Sequence, residues 1–361
     1  MPRFDRFTLP LLLFSPLLFL AIDCNAPPSE AIVEQTTIAT RARMPEYRGL
    51  SFVAPPQEFA ENPMPAVRAV GANYITVIPY AFTRKDQPRV YYNSGGQQWW
   101  GERPEGVRRT IELAQAAGIK VILKPQVYIP GSWTGDLGFT TPEAWSHWEA
   151  DYEAYLLPLV DLAQELGVAG VCIGTEFKIG AVQRETFWRN LIAKVRSRFS
   201  GTVAYASNWD AYQNVPFWDA VDVVGINAYF PLDPAATPSV AALVRAWQPW
   251  KQQIAAFQAR VQKPIVFTEY GYLTVDGAAH NTWELEAKVN DLPINEQAQA
   301  NALTALYAVF WAEPWWEGGF LWKWFPGMRG HEGYPARDYT PQGKLGARVL
   351  TDWYTPATAT E

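Results

Sequence analysis

Two glutamates each terminate a short apolar run: Val168-Ala-Gly-Val-Cys-Ile-Gly-Thr-Glu176 and Pro264-Ile-Val-Phe-Thr-Glu269-Tyr-Gly-Tyr272. A carboxylate beside apolar residues costs free energy unless it is paired, hydrogen-bonded or protonated. Two of them, each where a hydrophobic strand runs out, point to a site at one end of a parallel sheet. Paired carboxyls flanking a sugar are the machinery of glycosidic-bond hydrolysis. A nucleophile and an acid/base about 5–5.5 Å apart retain anomeric configuration, and about 6.5–9.5 Å leaves room for a water and inversion. Glu176 is assigned as general acid/base and Glu269 as nucleophile, against the plainer reading that either caps a helix or pairs with a base.

Further polar and aromatic residues stand at the ends of similar runs. Asn227 and Tyr229 lie two apart in Gly225-Ile-Asn-Ala-Tyr229, so they share a face by the period of a strand. Asn227 is expected to bond either sugar or Glu269. Trp322 and Trp324 alternate onto one face in the same way, and one of them, with Trp322 favoured, is expected to floor the subsite where the bond breaks. Lys124 and Gln126 point together from a third run. A lysine there is rarely buried without a partner, so Lys124 binds a sugar hydroxyl or pairs with a neighbouring carboxylate. Asn208, Trp209 and Asp210 end another run, Trp133 lies in a loop, and these are candidate subsite contacts. Trp99 and Trp100, beside Gly95 and Gly96, form either a stacking platform or plain surface packing. His147, His280 and His331 are too scattered for a metal triad, and there is no HExxH string, cysteine pair or EF-hand loop. No metal or other cofactor is expected, and the lack of a Gly-x-Ser-x-Gly elbow argues against a serine hydrolase.

The elements that must place these residues alternate along the chain. β-rich runs fall at 49–53, 73–80, 119–127, 168–176, 202–207, 221–229, 264–270 and 319–324. Helical patterns fall between them. Pro104 opens 105–117 and Gly118 closes it; Thr141-Pro142 opens a stretch to Leu166 closed by Gly167. Segments 184–199, 240–261, 295–310 and 342–354 have the same character. Eight strand–helix units with right-handed crossovers predict a single-domain α/β fold, a (β/α)8 TIM barrel. A doubly wound open sheet is the alternative, but no Gly-rich nucleotide fingerprint supports it. The loops 82–104, 128–141, 230–238 and 272–293 all follow strands, which puts them on the C-terminal face where barrel sites are built.

A formal charge of −6 argues against nucleic acid as a partner, since phosphates demand a basic surface. The 17 tryptophans and 17 tyrosines exceed ordinary packing needs and suit the apolar C–H faces of sugars. At the N-terminus Arg3 and Arg6 precede an apolar run from Leu9 to Ile22, too short and broken by prolines to span a membrane, which reads as an export signal over residues 1–24. Cys24 follows at once and is a candidate for acylation, giving a membrane tether; Asp23 departs from the small residue expected before a lipidated cysteine. Residues 25–46 read as a polar tether and 47–361 as the catalytic domain, here expected to be a monomer. The destination is outside the cytoplasm: a cell-surface lipoprotein, periplasmic or secreted.

The strings Arg48-Gly-Leu-Ser-Phe52, Ile122-Leu-Lys-Pro125, Ile173-Gly-Thr-Glu-Phe177, Phe267-Thr-Glu-Tyr-Gly271 and Leu321-Trp-Lys-Trp324, taken in strand order, resemble glycoside hydrolase family 113 over about residues 46–330. The resemblance implies a retaining enzyme with glutamates on strands four and seven, acting on β-1,4-mannan or mannooligosaccharides. It also implies that Tyr229 hydrogen-bonds and orients the nucleophile. Thr175 stands where many relatives of the wider clan carry an asparagine for the sugar 2-hydroxyl, so that contact does not transfer unchanged. The same chemistry on glucan or xylan, exo rather than endo action, and a non-catalytic glycan-binding barrel are the competing expectations.

Overall fold

The computed structural model describes residues 43–93, 98–327 and 335–356. The export segment, Cys24, most of the tether, Gly95, Gly96 and His331 lie outside them. Among the described residues ten strands form: β1 Tyr47–Phe52, β2 Tyr74–Val77, β3 Tyr80–Phe82, β4 Lys120–Leu123, β5 Gln126–Tyr128, β6 Gly170–Thr175, β7 Thr202–Asn208, β8 Val223–Asn227, β9 Ile265–Tyr270 and β10 Trp316–Trp324. Eight of them close in the order β1-β10-β9-β8-β7-β6-β4-β2, every neighbouring pair parallel, with helices outside. The chain is a single-domain (β/α)8 barrel.

The strands are legible as apolar runs because they are covered on both faces. Every residue of β2, β6, β8 and β9 is buried. Tyr74, Ile122, Ala204, Val223, Val266 and Phe320 make one small buried cluster contributed by six strands, while a much larger apolar cluster joins strands and helices. The helix Pro142–Glu165 shows how that larger cluster is fixed. Thr141 accepts from the Ala144 N–H at 3.2 Å, Pro142 sits where its missing donor is not needed, and Trp145, Trp148, Tyr152, Leu156 and Leu159 turn inward.

The runs expected as single strands over 73–80 and 119–127 are each divided in two. Pro79 and Pro125 have no N–H to give to the ladder, so the barrel pairing of β2 and β4 ends before them. Beyond the prolines β3 and β5 pair again as a separate two-stranded sheet above the mouth. The Tyr155 hydroxyl fastens this extension by donating to the carbonyls of Pro79 at 2.7 Å and Gln126 at 3.2 Å. The two-step path lifts Gln126 and Tyr128 over the mouth of the barrel.

Candidate active site

The register at the C-terminal edge sets side chains in a row: Asn208 pairs with Asn227 across β7–β8, and Asn227 with Glu269 across β8–β9. Glu269 stands near the end of β9, and Glu176 follows the last residue of β6. Both line one cleft of about 620 Å³, with Gln126, Trp133, Thr175, Asn208, Trp209 and Tyr229 also in its wall. Glu176 has φ of +60°, the left-handed region that a residue with a Cβ enters at a cost of order 1–3 kcal/mol. Its N–H is tied to the Ala206 carbonyl at 2.8 Å and its own carbonyl accepts from the Lys178 N–H at 2.7 Å, so neighbouring backbone holds the strained residue in place.

The carboxyls have different partners. Glu269 Oε1 accepts from Lys124 Nζ at 2.5 Å and Gln126 Nε2 at 2.9 Å, and Oε2 accepts from the Tyr229 hydroxyl at 3.0 Å. Three donors, one of them an ammonium, fit a carboxylate anion. Lys124 is 1% exposed as a side chain and also donates to the Thr268 carbonyl at 3.2 Å, so of the two expected roles it is the carboxylate partner that it fills. Burial, then the nearby Glu269 charge, keeps the Tyr229 hydroxyl protonated well above its usual range, as a donor must be.

Glu176 Oε1 accepts from Asn227 Nδ2 at 2.9 Å and Oε2 from the Trp133 indole N–H at 2.6 Å. Asn227 thus serves Glu176, not Glu269 as one expectation had it. Its amide is oriented by Thr268, whose hydroxyl donates to Asn227 Oδ1 at 2.9 Å. Burial, and second the Glu269 charge, push the Glu176 carboxyl above its ordinary value, against the opposing pull of the Trp133 and Asn227 bonds. The two carboxyls therefore differ in setting: Glu176 is raised by burial and a neighbouring like charge, and Glu269 is met by three donors.

The aromatic expectations divide. Trp322 is half-buried and lines the cleft. Trp324 does not line the cleft: it is 4% exposed in the core, and the register against β1 slips between Leu321 and Trp324, three residues of β10 advancing for two of β1, so period-two spacing fails at this strand end. Gly271 has to be glycine here, since a Cβ would stand 2.3 Å from the Trp322 carbonyl oxygen. Trp209 lies in the cleft wall with its ring 5.8 Å from that of Trp283 and tilted 30° to it. Asn208 donates to Asp210 Oδ1 at 3.0 Å, and Lys178 pairs with the other Asp210 oxygen at 2.6 Å. Thr175 is 6% exposed in the same wall. Trp283, Glu286 and Tyr339 also line the cleft and were not anticipated; the only signal for the first two was their place in the long loop after β9. Among the described residues no group of His, Cys, Asp and Glu side chains is arranged to hold a metal ion.

The sequence model of Glycoside Hydrolase Family 113 matches residues 56–344. The chain belongs to glycoside hydrolase family 113. It is a glycoside hydrolase of mannanase-like structure. Two solved structures described as family 113 β-1,4-mannanases are each 25% identical, with TM-scores of 0.71 and 0.73, over 86% of this chain and 99% of theirs. A family 113 β-mannanase from Alicyclobacillus acidocaldarius, in complex with ManMIm, is 24% identical over 87% of this chain and 98% of its own, with a TM-score of 0.72, and shares the fold. No curated protein sequence matches the chain.

Proposed function

We propose that this family 113 enzyme is a retaining β-1,4-mannanase in which Glu176 is the acid/base and Glu269 the nucleophile. In the first step Glu176 gives its proton to the glycosidic oxygen as the C1–O bond breaks, and a Glu269 oxygen forms the new bond to C1. Oε2, held by one donor against two on Oε1, is the less encumbered oxygen for that attack. In the second step Glu176, now ionised, takes a proton from water as the water oxygen bonds C1 and Glu269 leaves. The observation that carries this reading is the contrast between the carboxyls, Glu176 pushed up by burial and Glu269 met by three donors. When Glu269 becomes an ester its charge disappears, and with it one cause of the raised Glu176 value, so the acid of step one turns into the base of step two.

The mannan assignment is supported by the 25% identity to the two β-1,4-mannanases. The cleft reaches from Tyr80, Tyr128 and Trp322 past both glutamates to Trp209 and Trp283, which favours endo action. The test is a panel of mannan, glucan and xylan oligomers with product sizing, plus 1H NMR of the first-formed anomer. Cleavage of mannooligosaccharides with β-configured first products is expected; cleavage confined to glucan or xylan would displace the substrate, and α-configured products would displace the mechanism. The proposal includes export through residues 1–24, tested by fractionation of a producing cell and by fatty-acid labelling with and without Cys24→Ala.

A further inference from the structure

The two donors on Glu176 are supported in different ways. Asn227 belongs to β8, and its amide is oriented by the Thr268 hydroxyl at 2.9 Å. Trp133 reaches Glu176 Oε2 at 2.6 Å from the loop after β5, where no strand register fixes it. Its place is set instead by local contacts. The Thr134 hydroxyl ties the turn Thr134–Asp136 to β5 by donating to the Val127 carbonyl at 2.8 Å. Gly135 leaves room for the indole, since a Cβ there would stand 2.3 Å from Cη2 and Cζ3 of the ring.

Lys178 supplies a further contact. The left-handed turn at Glu176 follows β6 and brings Lys178, two residues on, to the start of the helix Lys178–Gln183. Its ammonium lies over the Trp133 ring, 5.8 Å from the centroid, within the roughly 6 Å at which a cation is attracted to an aromatic face. Asp210 holds it there: one carboxylate oxygen pairs with Lys178 Nζ at 2.6 Å, and the other accepts from the Asn208 amide at 3.0 Å. With Asp210 beside it the cation has little net field at a distance, so its influence on Glu176 passes through the indole. A cation on the ring draws electron density from the N–H and makes it a stronger donor. A stronger donor favours the ionised form of its acceptor.

We propose that Lys178 is a positioning residue for the acid/base, fixing and polarising the Trp133 indole so that its N–H stays on Glu176 Oε2 in both steps. The inference rests on the assignment of Glu176 as acid/base. It matters most in the second step, when Glu176 holds a negative charge until it takes the proton from water. The other charged and titratable groups around Glu176 are Glu269 of β9, Lys124 after β4, Tyr205 of β7 and Tyr229 after β8, and the test leaves all four in place.

The test is the pH dependence of kcat/KM on mannopentaose, or on whichever oligomer the panel finds cleaved, because its basic limb follows loss of the proton from the acid. Lys178→Met is expected to move that limb up by about half a pH unit, the size of an exposed cation–ring contact, since the anion loses support. Lys178→Arg keeps a cation over the ring and should restore it. Trp133→Phe should move the limb further, by about one to two units, and Lys178→Met added to it should change nothing more. A limb unmoved by Lys178→Met, even with kcat lowered, would overturn the positioning role. An equal shift in the Trp133→Phe background would overturn the route through the indole. Glu176→Ala that still cleaves the same oligomer at the wild-type rate would overturn the acid/base reading itself.

Discussion

Replacing Lys124 with methionine probes the buried ion pair that holds the proposed nucleophile. The two side chains are 1% and 8% exposed and meet at 2.5 Å. At an effective dielectric near 20, that separation is worth about 7 kcal/mol of Coulomb attraction. Desolvating the two ions offsets much of this, so the pair as a whole contributes little net stability. Breaking it from one side is different, because the Glu269 carboxylate stays buried with its counter-ion gone. Lys124→Met is therefore expected to cost about 3–5 kcal/mol in urea unfolding, and Glu269→Gln a similar order, because each strands the other charge. The double variant removes both charges and should cost clearly less than the sum, with a coupling of about 2 kcal/mol or more. A single-variant cost below about 1 kcal/mol, or additive costs, would refute the view that Lys124 is there for Glu269.

Four further outcomes are expected. Tyr229→Phe removes a hydrogen bond to a charged group, about 1.5–3 kcal/mol, so kcat should fall about 10- to 150-fold with the fold intact by circular dichroism; an unchanged kcat would make Tyr229 a packing residue. In Glu269→Gln the Glu176 carboxyl should titrate lower than in wild type by carbon NMR, because a neighbouring charge that raises it is gone, and Glu269→Ala should be rescued by azide to give a product of inverted configuration. Burial raises the folded Glu102 carboxyl from 4.5 to about 7, so the unfolded chain releases its proton first and stability falls as pH climbs from about 4.5 to 7. Glu102→Gln should remove that loss, gaining about 3 kcal/mol on wild type at pH 8 and little at pH 4; a pH-independent difference would contradict it.

Much of the scaffold was readable because its strands are buried on both faces, so each appears as an unbroken apolar run whatever its neighbours are. The helix expected over 240–261 has those bounds, its start capped by the Ser239 hydroxyl accepting from the Ala242 N–H at 3.2 Å. The short helices Met64–Ala69 and Lys178–Gln183 were missed: six residues are too few to show a period. The divided strands escaped because Pro79 and Pro125 sit inside otherwise good β-runs, and only the ladder shows where pairing stops. In the site, strand ends picked out Glu176, Glu269, Asn227, Tyr229, Lys124 and Gln126, which the fold brings together. Who bonds whom was not legible, because contact across the barrel depends on register. Asn227 lies beside Glu269 in the sheet yet its amide reaches Glu176, and Trp133 reaches Glu176 from a loop with no spacing signal. Trp324 was misplaced since an alternation rule presumes regular backbone through the strand end.

The division of labour between the glutamates is most directly tested by trapping the covalent intermediate. A 2-deoxy-2-fluoro mannosyl donor with an activated leaving group slows both steps, and the second more than the first when the leaving group is good. After incubation with the wild-type enzyme, peptide mass spectrometry should find one fluoromannosyl unit on the peptide containing Glu269, attached to that side chain, with activity lost in proportion. A label on Glu176 would reverse the roles. Turnover to an inverted product with no label on either glutamate would contradict the double displacement itself.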